Sequence, residues 1–445
     1  MASHLFISKK FLHINLYVLR KVISPLALII FCPLMVMLMW YTSTSLDGSF
    51  YQLGKLMYQE GFSITCYNIW SPYFFGTPTA WKMIGAFALF QLVLMKIVPG
   101  KRFDGPVTPE GNIPVYKANG VACYLITYLT FYLLSCKFHL FSPTIIYDHL
   151  GGILGGLSIF SFFFCVFLYI KGIYFPSSSD CGTTGNFIFD FYWGTELYPR
   201  VLGWDIKMFT NCRFGMMGWG LILLSCGAKQ YELYGLSDAM LVSIILQLVY
   251  ITKFFIWETG YLRSLDIMHD RAGFYICWGV LVWIAGVYTS PTLYLVHHPH
   301  HLGAPLMITF IILGTVSILI NYLADRQRQL VRERNGLCKI WGKAPELTVA
   351  HYTTEQGEHK QSLLLSSGWW GLSRHFHYIP EILGAFFWSA PALFSHFYPY
   401  FYVVFLTILL MERAGRDDKR CAKKYGEDWK HYCQKVPDKI IPYIF

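Results

Sequence analysis

The densest chemistry in the chain lies near its end. The run Glu412-Arg413-Ala-Gly-Arg416-Asp417-Asp418-Lys419-Arg420-Cys421-Ala422-Lys423-Lys424-Tyr425-Gly426 continues to Trp429 and Tyr432, and six of its residues from Arg413 to Lys424 are basic. Such a field suits a phosphate-bearing ligand, because Arg pairs with phosphate through two parallel bonds and Lys acts as a point charge. Asp417 stands at its centre. The run begins where the apolar stretch Tyr402–Met411 ends, so it leaves a membrane helix, and charge alone would also follow from the placement of Lys and Arg at cytosolic helix ends. A second basic pair, Arg328 and Arg332, is four residues apart and projects from one side of a helical extension. Between the two clusters runs an aromatic strip from Leu365 through Trp369, Trp370, His377 and Tyr378 to Glu381. Its Trp pair would serve equally as interfacial anchors. Two basic clusters with a Trp-rich strip between them suit a dinucleotide bearing an additional phosphate.

A third set could move protons. Tyr250, Lys253 and Trp257 recur at three and four residues and share one helix face, with Glu258 and Tyr261 just beyond. A polar stripe inside a membrane helix faces the bundle interior or a water-filled cavity by default. The alternative is that Lys253 snorkels to the interface. The tract His297-His298-Pro-His300-His301 invites a metal, but no carboxylate or cysteine adjoins it in sequence. A solvated loop is the expectation there, and no metal site is assigned. Twelve scattered cysteines contain no Cys-x-x-Cys pair, and several lie in apolar runs as small hydrophobes.

These residues need a membrane scaffold to position them. The chain has 445 residues, 55% hydrophobic, 14% charged and 18% aromatic, and its apolar runs reach helix-spanning length. The net charge of +10 sits in clusters between those runs, as topology requires, so nucleic acid is not an expected partner. The expected architecture is an all-α polytopic membrane protein of about ten transmembrane helices. Spans are expected near residues 22–41, 82–98, 121–141, 152–173, 215–226, 239–257, 274–287 and 304–323, with a proline-broken helical hairpin over 376–411. Lys9, Lys10, Arg20 and Lys21 put the N-terminus on the cytosolic side, before a first span retained rather than cleaved. An even count returns the basic tail to that side. Residues 1–235 form an N-terminal half of about five spans, and 236–445 a C-terminal half. In the loop Gly194-Thr-Glu196-Leu197-Tyr-Pro199-Arg200, a buried clamp from Glu196 to Arg200 is expected to fix the chain.

The order of residues carries more than the charge. Arg413-x-x-Arg416-Asp417-x-x-x-Cys421-x-x-Lys424-Tyr425-Gly426-x-x-Trp429-x-x-Tyr432 resembles the C-terminal signature of the membrane sterol reductases. Ser142–His149, Gly194–Trp219, Lys253–Tyr275, Asp325–Trp341 and Ser366–Glu381 are similar to further stretches of that family, especially of its members acting on the double bond at carbon 7. Lys253, Trp257, Asp325, Arg328 and His377 resemble the plant-type enzymes, whereas Glu412 stands where the family carries His. The resemblance implies an endoplasmic reticulum membrane protein (inner membrane in a bacterium) that takes a sterol from the bilayer, with membrane lipids as its other neighbours. It also implies an NADPH site in the C-terminal half. Arg328 and Arg332 would hold the adenosine phosphates, and Leu365, Trp370, His377 and Tyr378 would line the cofactor. Arg413, Asp417, Cys421, Ala422, Lys423, Lys424, Tyr425 and Tyr432 would complete the pocket.

A 5,7-diene needs a proton before it accepts hydride, hence a donor in a dry pocket. Tyr250 is the candidate, helped by Lys253 or Glu258, with Asp417 positioning the nicotinamide. The alternatives are a sterol carbon-14 reductase on the same fold, a membrane methyltransferase using S-adenosylmethionine, and a non-enzymatic sterol-binding scaffold. The scaffold would be expected to carry a long soluble N-terminal domain.

Overall fold

The computed structural model describes residues 17–353 and 357–444, so Lys9 and Lys10 lie outside the described residues. Among these, seven helices are long and apolar enough to cross a bilayer: α1 (Leu19–Ser45), α2 (Pro78–Ile97), α3 (Gly120–Lys137), α4 (Leu150–Tyr174), α6 (Asp238–Ile256), α7 (Phe274–Leu295) and α8 (Ala304–Glu333). The protein is a polytopic all-α membrane protein. The other three expected spans fall on helices that fail that test. Helix α5 (Met216–Tyr234) carries Lys229, Gln230 and Glu232, α9 (Tyr378–Ser389) has only 12 residues, and α10 (Phe401–Tyr425) is charged along its second half. A short helix α11 (Glu427–Lys435) follows.

Local chemistry fixes the ends. Thr77 caps α2 through its hydroxyl, with Pro78 in the first turn, where its missing N–H costs no hydrogen bond. Ser237 caps α6, accepting from the Met240 amide at 3.2 Å. Gly426, at φ +54°, stops α10 in a left-handed turn that disfavours most side chains. Beyond its apolar stretch, α8 continues for a further ten residues, so Arg328 and Arg332 ride on the same rigid helix and not on a loop. The expected loop after residue 100 contains a short antiparallel ribbon of β1 (Lys101–Asp104) and β2 (Val115–Ala118). A longer hairpin joins β3 (Leu347–Thr353) to β4 (His359–Leu365), with Leu347 opposite Leu365.

The chain divides into two compact units. The first comprises the described residues to Thr108, Asn112–Ser225 and Leu262–Thr289. Within it the expected Glu196–Arg200 clamp does not form. Glu196 instead pairs with Lys171 at 2.7 Å and accepts from the Ser177 amide at 2.6 Å, while Arg200 turns to Asp205 at 3.9 Å. Lys171 ends the membrane helix α4 beside the loop, so its flexible stem reaches the buried carboxylate. The second unit comprises Pro109–Gly111, Cys226–Tyr261 and the described residues from Ser290 on. In it, α8 packs along both α6 and α9, and α10 packs on α9 and on β3. The histidine tract also belongs here, and it is more ordered than a solvated loop. The His298 ring stacks on Tyr294 at 3.8 Å, and its Nδ1 lies 2.8 Å from the Tyr294 carbonyl oxygen.

Candidate active site

All the sequence-assigned site residues lie in the second unit, and most of them meet where α6, α8, α9 and α10 pack. The polar stripe of α6 faces protein. Tyr250 donates to Glu381 Oε1 on α9 at 2.5 Å, Lys253 donates to Asn321 Oδ1 on α8 at 2.5 Å, and Trp257 donates to Gln329 Oε1 at 2.9 Å. The Lys253 ammonium also lies 4.9 Å from the centre of the Tyr250 ring. Lys253 therefore does not snorkel; an amide on the neighbouring helix holds it in the bundle. Asn321 is itself fixed, donating through Nδ2 to the His377 carbonyl at 2.9 Å. Glu258 lies eight residues beyond Tyr250, buried in a short helix against α8. The carboxylate at the phenol is that of Glu381.

The aromatic strip folds over α8. Gly368, at φ +63°, makes a turn in which a Cβ would strike Gln327 and Ile340. That turn lets Trp370 lie inward, donating to the Ala324 carbonyl at 2.7 Å. The Arg328 guanidinium sits 4.3 Å from the centre of the Trp370 ring and 3.2 Å from Asp325. Trp370, His377 and Tyr378 continue as a chain of ring contacts at 4.9 and 4.3 Å. Arg332, one turn beyond Arg328, is exposed and makes no side-chain hydrogen bond or ion pair among the described residues.

The basic run is one face of α10. Asp417 accepts from Arg420 at 2.7 Å and lies 3.9 Å from His375 Nε2. Burial works against its charge, yet Arg420, His375 and Arg328 hold its carboxyl below the usual carboxylate range. His375 is driven the other way. Burial pushes its imidazole down to about 4, with Arg328 and Arg374 adding to the effect and Asp417 opposing it. Burial likewise depresses His377, helped by Arg328, His375, Lys253 and Arg413. The same charges, Arg413, Asp417, Arg328 and Asp325, act on Tyr378. Arg413 and Asp417 of α10 thus share one electrostatic environment with Arg328 and Asp325 of α8.

The segment Cys421–Tyr425 divides by helix face. Cys421 packs with Tyr432, Trp429 and Leu364 in an apolar cluster that Tyr425 borders, and burial pushes its thiol up to about 12. Ala422, Lys423 and Lys424 are exposed, and the Lys424 ammonium lies 3.9 Å from the centre of the Tyr352 ring on β3. Leu365 packs with Trp370 and Val331, and its carbonyl accepts from the Tyr432 hydroxyl at 3.1 Å. That bond ties α11 to the end of β4, next to the strip. Glu412 is exposed and pairs with Arg416 at 2.6 Å, a surface ion pair.

Residues that sequence reasoning did not assign also line this region. Asn321 is a polar group in the apolar stretch of α8, a signal available in the sequence, whereas Gln329 lies in its charged extension. His375 and Arg374 were visible only as part of the strip. The Arg374 guanidinium donates to the Val436 and Pro437 carbonyls at 2.7 and 2.8 Å and lies 3.7 Å from Asp418, which fastens the C-terminal segment.

The exposed Arg332 guanidinium, one turn beyond the half-buried Arg328, suits phosphates at one end. At the other end, His377 Nδ1 is buried without a hydrogen-bond partner among the described residues, and stacked rings surround it. The arrangement fits a dinucleotide lying along α8 and α10. These residues form a helix-built cluster with basic groups on α8 and α10 and an acid–phenol pair between α9 and α6. Residues 18–445 match the ergosterol biosynthesis ERG4/ERG24 family, and the chain belongs to that family of sterol reductases. It is 56% identical over 424 residues to a protein of Arabidopsis thaliana named 7-dehydrocholesterol reductase, covering 95% of this chain and 97% of that one. A Xenopus laevis protein of the same name is 38% identical, covering 83% of this chain and 81% of its own length. A Delta(14)-sterol reductase of Methylotuvimicrobium alcaliphilum is 36% identical, covering 95% of both.

Proposed function

We propose that the chain reduces the C7–C8 double bond of 5,7-diene sterols, drawing the sterol from the bilayer of the endoplasmic reticulum and using NADPH. The carrying observation is the 56% identity, over 95% of the chain, to a plant 7-dehydrocholesterol reductase. The site geometry supports the roles.

Arg332 and Arg328 take the adenosine phosphates, one free for a charge-assisted contact and the other set by Trp370 and Asp325. Trp370, His377 and Tyr378 line the path inward, and Asp417, held ionised by Arg420, fixes the carboxamide end. Bound NADPH would supply the hydride. Tyr250 supplies the proton: its O–H bond breaks as the proton goes to C8, the electron pair stays on the phenol oxygen, and the allylic cation left over C5 to C7 is open to hydride at C7. The Lys253 ammonium lies beside the phenol, 4.9 Å from the Tyr250 ring centre. The buried Trp388, 5.4 Å from the same ring, places an apolar face beside the phenol.

Expression of the chain in cells that accumulate a 5,7-diene sterol tests the proposal by gas chromatography and mass spectrometry. Loss of the conjugated diene, with gain of one H2 and retention of the 5-ene, is the expected result. Consumption of an 8,14-diene with the 5,7-diene untouched would transfer the chain to the second reading. That reading rests on the 36% identity to the bacterial Delta(14)-sterol reductase.

A further inference from the structure

One strong contact has no part in the steps above. Tyr250 Oη and Glu381 Oε1 are 2.5 Å apart, at the short limit for an O–H···O bond and in the range of charge-assisted ones. Glu381 lies in the first turn of α9, half-buried, and its own amide donates to the His377 carbonyl at 3.3 Å. If Tyr250 gave up its proton beside an ionised carboxylate, a phenolate and a carboxylate would be left in contact in a dry pocket. Two like charges that close do not coexist cheaply.

We propose that Glu381 is the proton reservoir behind Tyr250, a positioning and relay residue that acts on the sterol only through the phenol. The inference rests on the assignment of Tyr250 as donor. In the sterol-free protein the phenol donates to the carboxylate. A sterol filling the pocket removes water from the pair, which favours the neutral acid, and Glu381 takes up one proton from solvent. In the reaction the Tyr250 O–H bond breaks as the C8–H bond forms, and the Glu381 O–H bond breaks as a new Tyr250 O–H bond forms. Glu381 ends as a carboxylate and is recharged from water after product leaves. No phenolate persists.

Lys253 on α6 with Arg328 and Asp325 on α8 bring charges of both signs to this end of α9, and Asp325 interacts electrostatically with Glu381. His377 ahead of α9, with Arg413 and Asp417 on α10, completes the charged and titratable groups that the packed elements bring to this end. Tyr294, Tyr398 and Tyr400 stand on the elements packed at the other end.

The test uses the full chain in lipid nanodiscs, with 7-dehydrocholesterol and NADPH. Glu381→Gln keeps a side chain able to donate to Tyr250 but has no proton to release. It should lower the single-turnover rate by about tenfold or more and abolish the alkaline fall of the rate with pH, while KM for both substrates stays near wild type. Glu381→Asp should recover part of the rate and the pH dependence. In the wild type, the single-turnover rate against the deuterium fraction of the solvent should curve, because two protons move together; this readout does not depend on any variant folding. A linear plot, or Glu381→Gln with wild-type rate and pH profile beside a slow Tyr250→Phe, would remove the relay and leave the donor. Tyr250→Phe at wild-type rate would remove the donor assignment itself.

Discussion

Replacing Arg332 by Ala separates phosphate recognition from scaffold. Arg332 is exposed at the C-terminal end of α8 and holds no ion pair among the described residues, so the substitution breaks no ion pair within the protein. A hydrogen bond to a charged group contributes about 1.5–3 kcal/mol, or roughly 10- to 150-fold in affinity. Solvent around an exposed guanidinium screens the contact, which places the effect at the lower end, near tenfold. KM for NADPH should therefore rise about tenfold, and KM for NADH, which lacks the additional phosphate, should stay within twofold. Arg328→Ala is the control. It removes the cation over Trp370 and leaves Asp325, only 7% exposed, without its partner, so it should weaken both cofactors together. Steady-state kinetics with each cofactor at saturating sterol reads both outcomes. Equal weakening of NADPH and NADH by Arg332→Ala would refute the phosphate assignment.

Asp417→Asn leaves Arg420 and His375 without their carboxylate and should impair both kcat and KM for NADPH, whereas Tyr250→Phe should lower kcat by about 10²–10⁴-fold with cofactor binding intact; cofactor titration of the two variants tells them apart. Tyr432→Phe removes the 3.1 Å bond to the Leu365 carbonyl and should cost about 1–3 kcal/mol in thermal unfolding, with kcat nearly unchanged. His375 is neutral in the folded protein down to about 4 but titrates near 6.5 when unfolded, so the unfolded chain binds the extra proton between those values. Its contribution, on the order of 3 kcal/mol, is complete above pH 6.5 and is lost as pH falls toward 4. His375→Asn should flatten that part of the stability–pH curve, measured by chemical denaturation in detergent.

What the sequence made legible divides by the range of the interaction. Helix periodicity placed Tyr250, Lys253 and Trp257 on one face, and all three do reach α8 or α9, because a 3.6-residue repeat is a local property. The spans at α1–α4 and α6–α8 were legible for the same reason, since about 20 apolar residues suffice to identify each. The partners were not. Glu381 lies 131 residues from Tyr250, and nothing in its own neighbourhood, His-Tyr-Ile-Pro-Glu, announces a phenol above it. Glu258, only eight residues away, reads with Lys253 as a helper of Tyr250 on sequence nearness, which reports nothing of a carboxylate arriving from α9. Lys171 misled in the same way: a Glu196–Arg200 pair four apart looks like a clamp, but the chain between them is not helical, and the cation that arrives comes from a different element 25 residues earlier.

The β3–β4 hairpin shows a third kind of illegibility. Its strands read Leu-Thr-Val-Ala-His-Tyr-Thr and His-Lys-Gln-Ser-Leu-Leu-Leu, and neither alternates cleanly between apolar and polar. The pattern is weak because only part of the ribbon is covered. Ala350 and Leu364 pack against Cys421, Trp429 and Tyr432, and Leu365 packs against Trp370, while its outer end with His351 and His359 is exposed. A strand with one short buried stretch has no need of period-two alternation along its length. The hairpin nonetheless couples the strip to the tail, since Leu365 touches Trp370 on one side and accepts from Tyr432 on the other. The residues that look like a basic tail in the sequence therefore rest against a ribbon that the sequence barely announces: Cys421, Trp429 and Tyr432 pack on its buried part, and Tyr432 is tied to the Leu365 carbonyl.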